Sequence, residues 1–430
     1  MVKNNITQAD TLSDDRCDNV SYDIVIVGAG LSGSLLALSL LKQNAQLKVL
    51  LLDENAQRVE KNQSLANKTV SDKQRNPSFD ARCIALNAGS VDILDSLALW
   101  SEIEINAQAI DKIQVSDKGY FGALGLMPNN KGETFGYVVE LRHVGKVLAR
   151  ALGAFPSLTT RYNVKLKHFQ QGIDAISCEL SDGQCIEAKL CVGADGSESQ
   201  VRELAKIDTE RYNYDRSAII CNVRCSKPHQ NIAYERFCKS GPIALLPLTA
   251  DRYSLVYCVE HQQAAQIAEL PDHLFLAQLQ QQFGFRAGIF EETGKRDIYP
   301  LSLVKTTKPI AHRVLCVGNA AHSLHPVAGQ GFNLGLRDLF VLAKVVTQSE
   351  VEHIGSFSML NTYWQCRAKD HHRTILMTDS LVRIFSNQYP LLSIPRNIGL
   401  QAMSCFPFLS QPIIEQAKGQ FDLFNSENLS

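Results

Sequence analysis

The stretch 22–53 constrains the fold more than any other part of the chain. It reads Y-D-I-V-I-V-G-A-G-L-S-G-S-L-L-A-L-S-L-L, then a short polar gap, then L-K-V-L-L-L-D. Residues 24–27 are β-branched and bounded by glycine, which suits a parallel strand buried on both faces. Gly28, Gly30 and Gly33 supply G-x-G-x-x-G at its end. In that spacing the first glycine permits a tight turn, the second lets backbone approach a pyrophosphate, and the third lets the helix pack close to the strand. Leu31 and Ser32 open a helix over 31–41 whose N–H groups and dipole favour an anion. Residues 49–52 give a second strand. Asp53 ends it, about 20 residues past the last glycine, where a carboxylate accepts from ribose hydroxyls. The alternative for the nearly uncharged 24–41 is a membrane span. Three glycines with Ser32, Ser34 and Ser39 argue against it, since a span needs about 20 apolar residues in one helix.

At 430 residues the chain is long enough for two or three packed regions. Its apolar and charged fractions, 45% and 20%, are those of an ordinary soluble globular protein. A formal net charge of -1 supplies no basic field, so nucleic acid is excluded as an expected partner. The twelve cysteines form no C-x-x-C and no zinc-spaced cluster with histidine. They are expected to be reduced, buried small hydrophobes of a cytosolic protein. Residues 1–19 are polar and mixed in charge, without the apolar centre of a signal peptide, and residues 1–20 are expected to be a disordered leader.

Beyond 53, a polar tract over 54–78 reads as a loop. Helices are expected over 88–100 and 144–152, and antiparallel strands over 164–190 with Ser181-Asp182-Gly183 as the hairpin turn. Period-two alternation over 214–224, 232–237, 241–247 and 253–260 predicts a second, mainly antiparallel sheet. A helical interval over 262–285 follows, and 299–301 closes the region. Two further stretches end strands in glycine-rich turns. One is L-C-V-G-A-D-G over 190–196, where Asp195 fits a helix cap. The other is G-N-A-A-H-S-L-H-P-V-A-G-Q-G-F-N-L-G-L-R-D over 318–338. There Gly329, Gly331 and Gly335 let backbone lie flat against a ring, and the helix start after Gly331 offers N–H groups to an anion. His322 and His325, three apart beside Pro326, lack the further ligands of a metal site. Arg82 is equally a surface charge or a phosphate-holding fork, and Arg142 reads more simply as a surface charge. Residues 350–430 are expected to be helical, broken at Pro390, Pro395, Pro407 and Pro412, with either plain packing or a membrane-facing amphipathic surface.

The combination of G-A-G-L-S-G, G-A-D-G followed by serine and V-R, and G-N-A-A-H with H-P-V-A-G-Q-G-F-N-L-G-L-R-D resembles the flavin-dependent aromatic hydroxylases of the para-hydroxybenzoate hydroxylase fold. D-A-R-C-I-A-L over 80–86 and the H-P-V-A-G-Q-G run are similar to the ubiquinone-biosynthesis hydroxylases, and within them to those acting on octaprenyl methoxyphenols. The resemblance covers nearly the whole chain from Tyr22. It implies an α/β fold: a Rossmann-like FAD-binding part with a parallel sheet over 21–112, 140–206 and 299–349, a mainly antiparallel substrate part over 113–139 and 207–298, and C-terminal helices over 350–430. It implies FAD held by Gly28, Gly30, Leu31, Ser32, Gly33, Asp53, Arg82, Arg142 and Asp195. Asn319 stands where the wider family has aspartate, at the ribityl chain, and still offers an acceptor. Gly329, Gln330, Gly331, Phe332 and Asn333 would lie along the isoalloxazine.

The implied reaction is ring hydroxylation of a 2-polyprenyl-6-methoxyphenol with NAD(P)H and O₂, through a flavin C4a-hydroperoxide and with no metal. The flavin carries the hard step; the protein orients the ring and excludes water. With no second G-x-G-x-x-G, the nicotinamide is expected to bind transiently. His322, His325 and Pro326 are the candidate catalytic residues. A polyprenyl substrate implies a cytoplasmic protein lying peripherally on the inner face of the cytoplasmic membrane, beside other quinone-biosynthesis proteins. Two other readings remain open: a hydroxylase of another small aromatic, and a flavin-binding scaffold subunit.

Overall fold

The computed structural model describes residues 17–56, 82–120, 122–325, 329–386 and 390–420. The expected leader at 1–16, most of the polar loop and Pro326 lie outside them. Residues 17–20 correct the leader boundary. They open the first strand, Cys17–Val27, because its backbone pairs with Cys185–Gly193 whatever the polarity of its side chains.

Three sheets are present among the described residues. In the eight-stranded sheet, Val314–Cys316, Cys185–Gly193, Cys17–Val27, Val49–Asp53 and Leu158–Tyr162 lie side by side and parallel. The run at 24–27 is apolar throughout because both faces are covered. Ile24 and Ile26 pack with Leu35, Leu36 and Leu336 from two helices, Leu31–Gln43 and Gln330–Gln348. Val25 and Val27 pack on the other side with Leu52, Cys191 and Cys316. The cysteines from Cys83 to Cys405 are free thiols, and burial pushes Cys316 up to about 12.

The nine-stranded sheet sorts its alternating residues between two faces. Its centre is the long strand Thr209–Cys225, flanked by Asp297–Thr306 and Arg252–Glu260. Ile219, Cys221, Leu255 and Tyr257 face two helices, His261–Ala268 and Asp272–Phe283, parted at Pro271. Ala218, Ile220, Val256 and Cys258 face the opposite way. The strand Asp297–Thr306 belongs to this sheet. Residues 299–301 therefore continue the region that the sequence pattern closed there, and they do not open the FAD-binding part. A small sheet of Cys83–Asn87, Gly136–Glu140 and Ala107–Ile110 joins the two halves.

The C-terminal helices are Phe357–Ser386, Pro390–Cys405 and Pro407–Lys418. Pro390 and Pro407 open helices, where a missing N–H costs nothing. Pro395 and Pro412 fall inside helices, so they are not the breaks expected. Leu400 and Ile414 pack behind the small sheet with Val138 and Leu126. Arg396 and Asn397 bind the buried Asp117 carboxylate, fixing this pair of helices to the substrate-side sheet.

Candidate functional site

Three glycine turns far apart in sequence meet at one cleft of about 740 Å³. Gly28 has φ +104, and a Cβ there would stand 2.5 Å from the carbonyl oxygen of Ala194, so the first and second turns touch. A Cβ on Gly318 would stand 2.7 Å from Ser32 Oγ, which brings the third turn to the first. Gly33 lies beneath the cleft: its Cβ would meet the Gly28 carbonyl oxygen at 1.9 Å, so helix and strand can approach only without a side chain.

Two helices begin at the cleft wall. The helix at Leu31 has Gly30 as its N-cap, and the helix at Gln330 has Gly329, with φ 61. Neither start has a side-chain cap or an acidic residue in its first turn. Two other helix starts carry side-chain caps: Asn87 Oδ1 accepts from Ser90 N at 2.9 Å, and Ser199 Oγ accepts from Arg202 N at 3.0 Å. Two helix starts without side-chain caps, facing one cleft, suit a ligand with two anionic or electron-rich ends. The second helix starts at Gln330, two residues earlier than the start after Gly331 that the sequence suggested, and its N-cap Gly329 takes the left-handed conformation open to glycine.

Gly28, Gly30, Leu31, Ser32, Asp53, Arg82, Asp195, Asn319, Gly329, Gly331 and Phe332 line the cleft. Asp53 also binds its own chain, accepting from Ala29 N at 2.9 Å and from Asn55 N at 2.8 Å, so one carboxylate ties the turn to the strand end. Asp195 Oδ2 accepts from Gln200 N at 2.8 Å and Val201 N at 3.2 Å, the cap its position suggested. Burial raises its carboxyl despite those bonds. Arg82 lies over the Tyr299 ring, 5.0 Å from its centroid.

Gly33, Arg142, Gln330, Asn333 and His322 are not among the lining residues. Arg142 is half exposed and donates from Nε to Glu140 Oε2 at 2.7 Å, a buried carboxylate that Arg252 also reaches. Its guanidinium is therefore committed outside the cleft. Asn333 is a cross-brace. Its Oδ1 accepts from Asn87 N at 3.0 Å and Ser90 Oγ at 2.7 Å, and its Nδ2 donates to Ala85 O at 2.9 Å and Gly329 O at 2.8 Å. It locks the second helix start onto the strand that follows Arg82.

His322 is fully buried, with its Nε2 3.0 Å from Asp338 Oδ2. Asp338 Oδ1 also accepts from Arg367 Nε at 2.7 Å and lies 2.8 Å from His371 Nε2. Arg367 and Arg337 both reach Asp370. His322, Asp338 and His371 bring three possible ligand atoms within 4.8 Å of one another. The Arg367 guanidinium at 2.7 Å makes the group an ion-pair hub. Burial alone would raise the Asp338 carboxyl; His371, Arg367 and His322 overcome that and hold it well below its ordinary value. The sequence reading missed this hub. Arg367, Asp370 and His371 sit in a charged run, R-A-K-D-H-H-R, which reads as a solvated helix face, and only the tertiary fold buries it.

The far wall of the cleft is the free face of the nine-stranded sheet. Ile220, Leu246, Ser254 and Val256 line it, with Leu324 and His325 from the loop before the second helix. His325 is the candidate histidine that reaches the cleft.

The FAD binding domain family matches residues 21–376. Ubiquinone hydroxylase UbiL of Rhodospirillum rubrum is 33% identical over 93% of this chain and 90% of its own length. The 3-demethoxyubiquinol 3-hydroxylase of Escherichia coli is 29% identical over 93% and 99%, and zebrafish (Danio rerio) COQ6, a ubiquinone biosynthesis monooxygenase, 28% over 92% and 90%. The p-nitrophenol 4-monooxygenase PnpA of Pseudomonas putida has the same fold, with a TM-score of 0.72 at 18% identity, covering 94% of this chain and 100% of that one. The cleft, with its two helix starts free of side-chain caps, fits FAD, and the chain belongs to the FAD-dependent aromatic monooxygenases, in the family of ubiquinone-biosynthesis hydroxylases.

Proposed function

We propose that this protein hydroxylates the aromatic ring of a 2-polyprenyl-6-methoxyphenol in ubiquinone biosynthesis, using FAD, NAD(P)H and O₂. The observation that carries the reading is the continuity of one cleft from two helix starts to an apolar sheet face. FAD, when bound, supplies the redox chemistry that takes hydride from NAD(P)H and activates oxygen. The N–H groups at Leu31 and Ser32 would hold the pyrophosphate, with Gly28 and Gly30 leaving room for it. Asp53 retains lone pairs for a ribose hydroxyl beside its bonds to Ala29 and Asn55. Asp195, Asn319 and Arg82 line the cleft between the two starts and would border the cofactor there. Gly329, Gln330, Gly331 and Phe332 start the second helix, whose dipole favours negative charge on the ring system, and Asn333 fixes that start from behind. Ile220, Leu246 and Val256 exclude water from the aromatic substrate.

The substrate's tail places the protein against a membrane, peripherally and on the cytoplasmic side. Among the described residues no helix is long and apolar enough to cross one. Ile398, Phe406, Phe408 and Leu409 are exposed, and no charged residue occurs over 397–414. This turn between the last two helices suits shallow insertion beneath lipid headgroups. Truncation after Ser349 would also remove Arg367 and the ion-pair hub, so paired Phe406→Ser and Phe408→Ser substitutions are the cleaner probe. Flotation with phospholipid vesicles should fall several-fold in the double variant; equal flotation rejects the membrane surface. The function itself is tested by mass spectrometry of quinone precursors in cells lacking the protein. Accumulation of the methoxyphenol supports the reading, and normal quinone with no accumulated precursor rejects it.

A further inference from the structure

Four histidines are buried among the described residues, and three of them are bound. His229 Nε2 lies 2.9 Å from Leu248 O, and its Nδ1 accepts from Asn231 N. His322 and His371 meet Asp338. His325 differs. It is 1% exposed, yet neither ring nitrogen has a hydrogen-bond partner. Buried polar groups in folded proteins are almost always paired, so an imidazole with two open positions calls for an explanation. This one lines the cleft at its apolar end. The edge-on ring of Tyr214, 5.3 Å between centroids, fixes its plane, and Tyr214 is itself tied to Asp379 on a C-terminal helix at 3.2 Å. The neighbouring wall is Ile220, Leu246 and Val256, with Ser254 as a second polar group.

Burial, reinforced by the positive charge of Arg216, holds His325 down to about 4. The ring is neutral at physiological pH and offers one donor and one acceptor. A phenol titrates at about 10, so this imidazole is far too weak a base to remove its proton outright. It can accept the O–H in a hydrogen bond and leave the ring oxygen richer in electron density.

We propose that His325 is the residue that recognises the hydroxyl group of the aromatic substrate, accepting the phenolic O–H on one ring nitrogen and so orienting the ring along the apolar sheet face. The proposal rests on the aromatic-substrate reading above and deepens it. A phenol satisfies the open acceptor of His325 and covers Ile220 and Val256 with its ring. An aromatic ether, with a methyl in place of the hydroxyl hydrogen, covers the same surface and leaves the acceptor open. That difference is the specificity the site provides.

The test uses full-length, FAD-loaded protein and two probes: 2-methoxyphenol carrying one short prenyl chain, and its O-methyl ether. Binding is read from the change in flavin absorption, independently of turnover. The native protein should prefer the phenol by at least about tenfold. His325→Leu should reduce the preference to within about twofold while ether binding holds steady, and His325→Gln, which restores an acceptor, should regain part of it. An unchanged preference in both variants overturns the proposal. So does equal loss of phenol and ether in His325→Leu, which would mark a packing role. Should His325→Leu not fold, the ratio in His325→Gln decides alone: a fall supports the role and an unchanged value overturns it. If the native protein binds neither probe, the aromatic-substrate reading fails and takes this proposal with it; preference in the native protein retained by the variants removes only the proposal.

Discussion

The two helix starts at the cleft reach the same end by different means. The one at Leu31 is shaped by local parts: Gly28 turns, Gly33 allows contact, and the Asp53 carboxylate ties Ala29 to the strand end. Its parts lie within 26 residues of sequence, from 28 to 53. The one at Gln330 is held by side chains drawn from elsewhere. Asn333 reaches Asn87, 246 residues away, and Asp338 one turn later is gripped by Arg367 and His371 from the C-terminal helix. A start built mostly from local backbone has few side-chain rotamers to lose on ordering. A start built from distant side chains depends on the whole fold being in place, and it puts the C-terminal helix in mechanical contact with the cleft.

The largest expected effect comes from filling the first start. In Gly33→Ala the new Cβ would lie 1.9 Å from the Gly28 carbonyl oxygen, which is main chain and has nowhere to go. We expect a destabilisation of about 3 kcal/mol and purified protein without yellow colour. A stable yellow variant would show that the first start is looser than its packing implies. The matching lesion in the second start is Arg367→Met. It leaves the fully buried Asp338 carboxylate without its guanidinium, a loss of about 3–5 kcal/mol by precedent for broken buried pairs. Chemical denaturation should show it as a lower midpoint, and a cost under about 1 kcal/mol would mean that His371 and His322 suffice.

Acid should separate the two starts, because the first has no histidine and the second has three close by. Burial, with Arg216 adding, holds His325 at about 4 against an ordinary 6.5. Between those values the unfolded chain takes up a proton that the native protein refuses, so stability falls as pH drops from about 6.5 toward about 4. The full difference is roughly 3 kcal/mol. Burial also lowers His371, against the raising pull of Asp338, and so acts in the same direction. Asp370, where Arg367 and Arg337 outweigh the raising effect of burial to give about 2, loses its contribution only further down, between about 3.8 and about 2. Thermal unfolding at pH 7 and pH 4.5 should therefore diverge in the native protein and much less in His325→Leu. Equal slopes would remove His325 from the account.

The same contrast explains what could be read from the chain before folding. The first start was legible because strand, turn glycines, helix and carboxylate are contiguous, and each is demanded by local geometry. The period-two runs revealed the second sheet for a similar reason: Ile219 and Ile220 must face opposite ways. Arg142 read more simply as a surface charge, with a cofactor contact implied only by the resemblance, and its guanidinium folds back two residues to Glu140. The strand at 297–306 was cut short because its proline and tyrosine look like a boundary, and the ladder with Thr209–Cys225 runs through them. The roles of Asn87, Ser90 and Arg367 were illegible, since each depends on a partner more than 25 residues away.

The smallest effect is also the most discriminating. Asn333→Ala removes four hydrogen bonds from the second start and leaves the first untouched. Each neutral bond contributes about 1 kcal/mol net, and water entering at Ala85 and Gly329 offsets part of the loss, so about 2 kcal/mol is expected. On the proposed reading ADP would engage only the first start, because it carries a pyrophosphate and a ribose but no flavin ring. Its affinity for flavin-free protein should be the same in Asn333→Ala as in the native chain, while FAD affinity falls roughly tenfold or more. Parallel losses of ADP and FAD would mean that the two starts move as one body. A loss confined to FAD would mean that the fold holds the two ends of its cofactor independently, and that Asn333 acts on the flavin end alone.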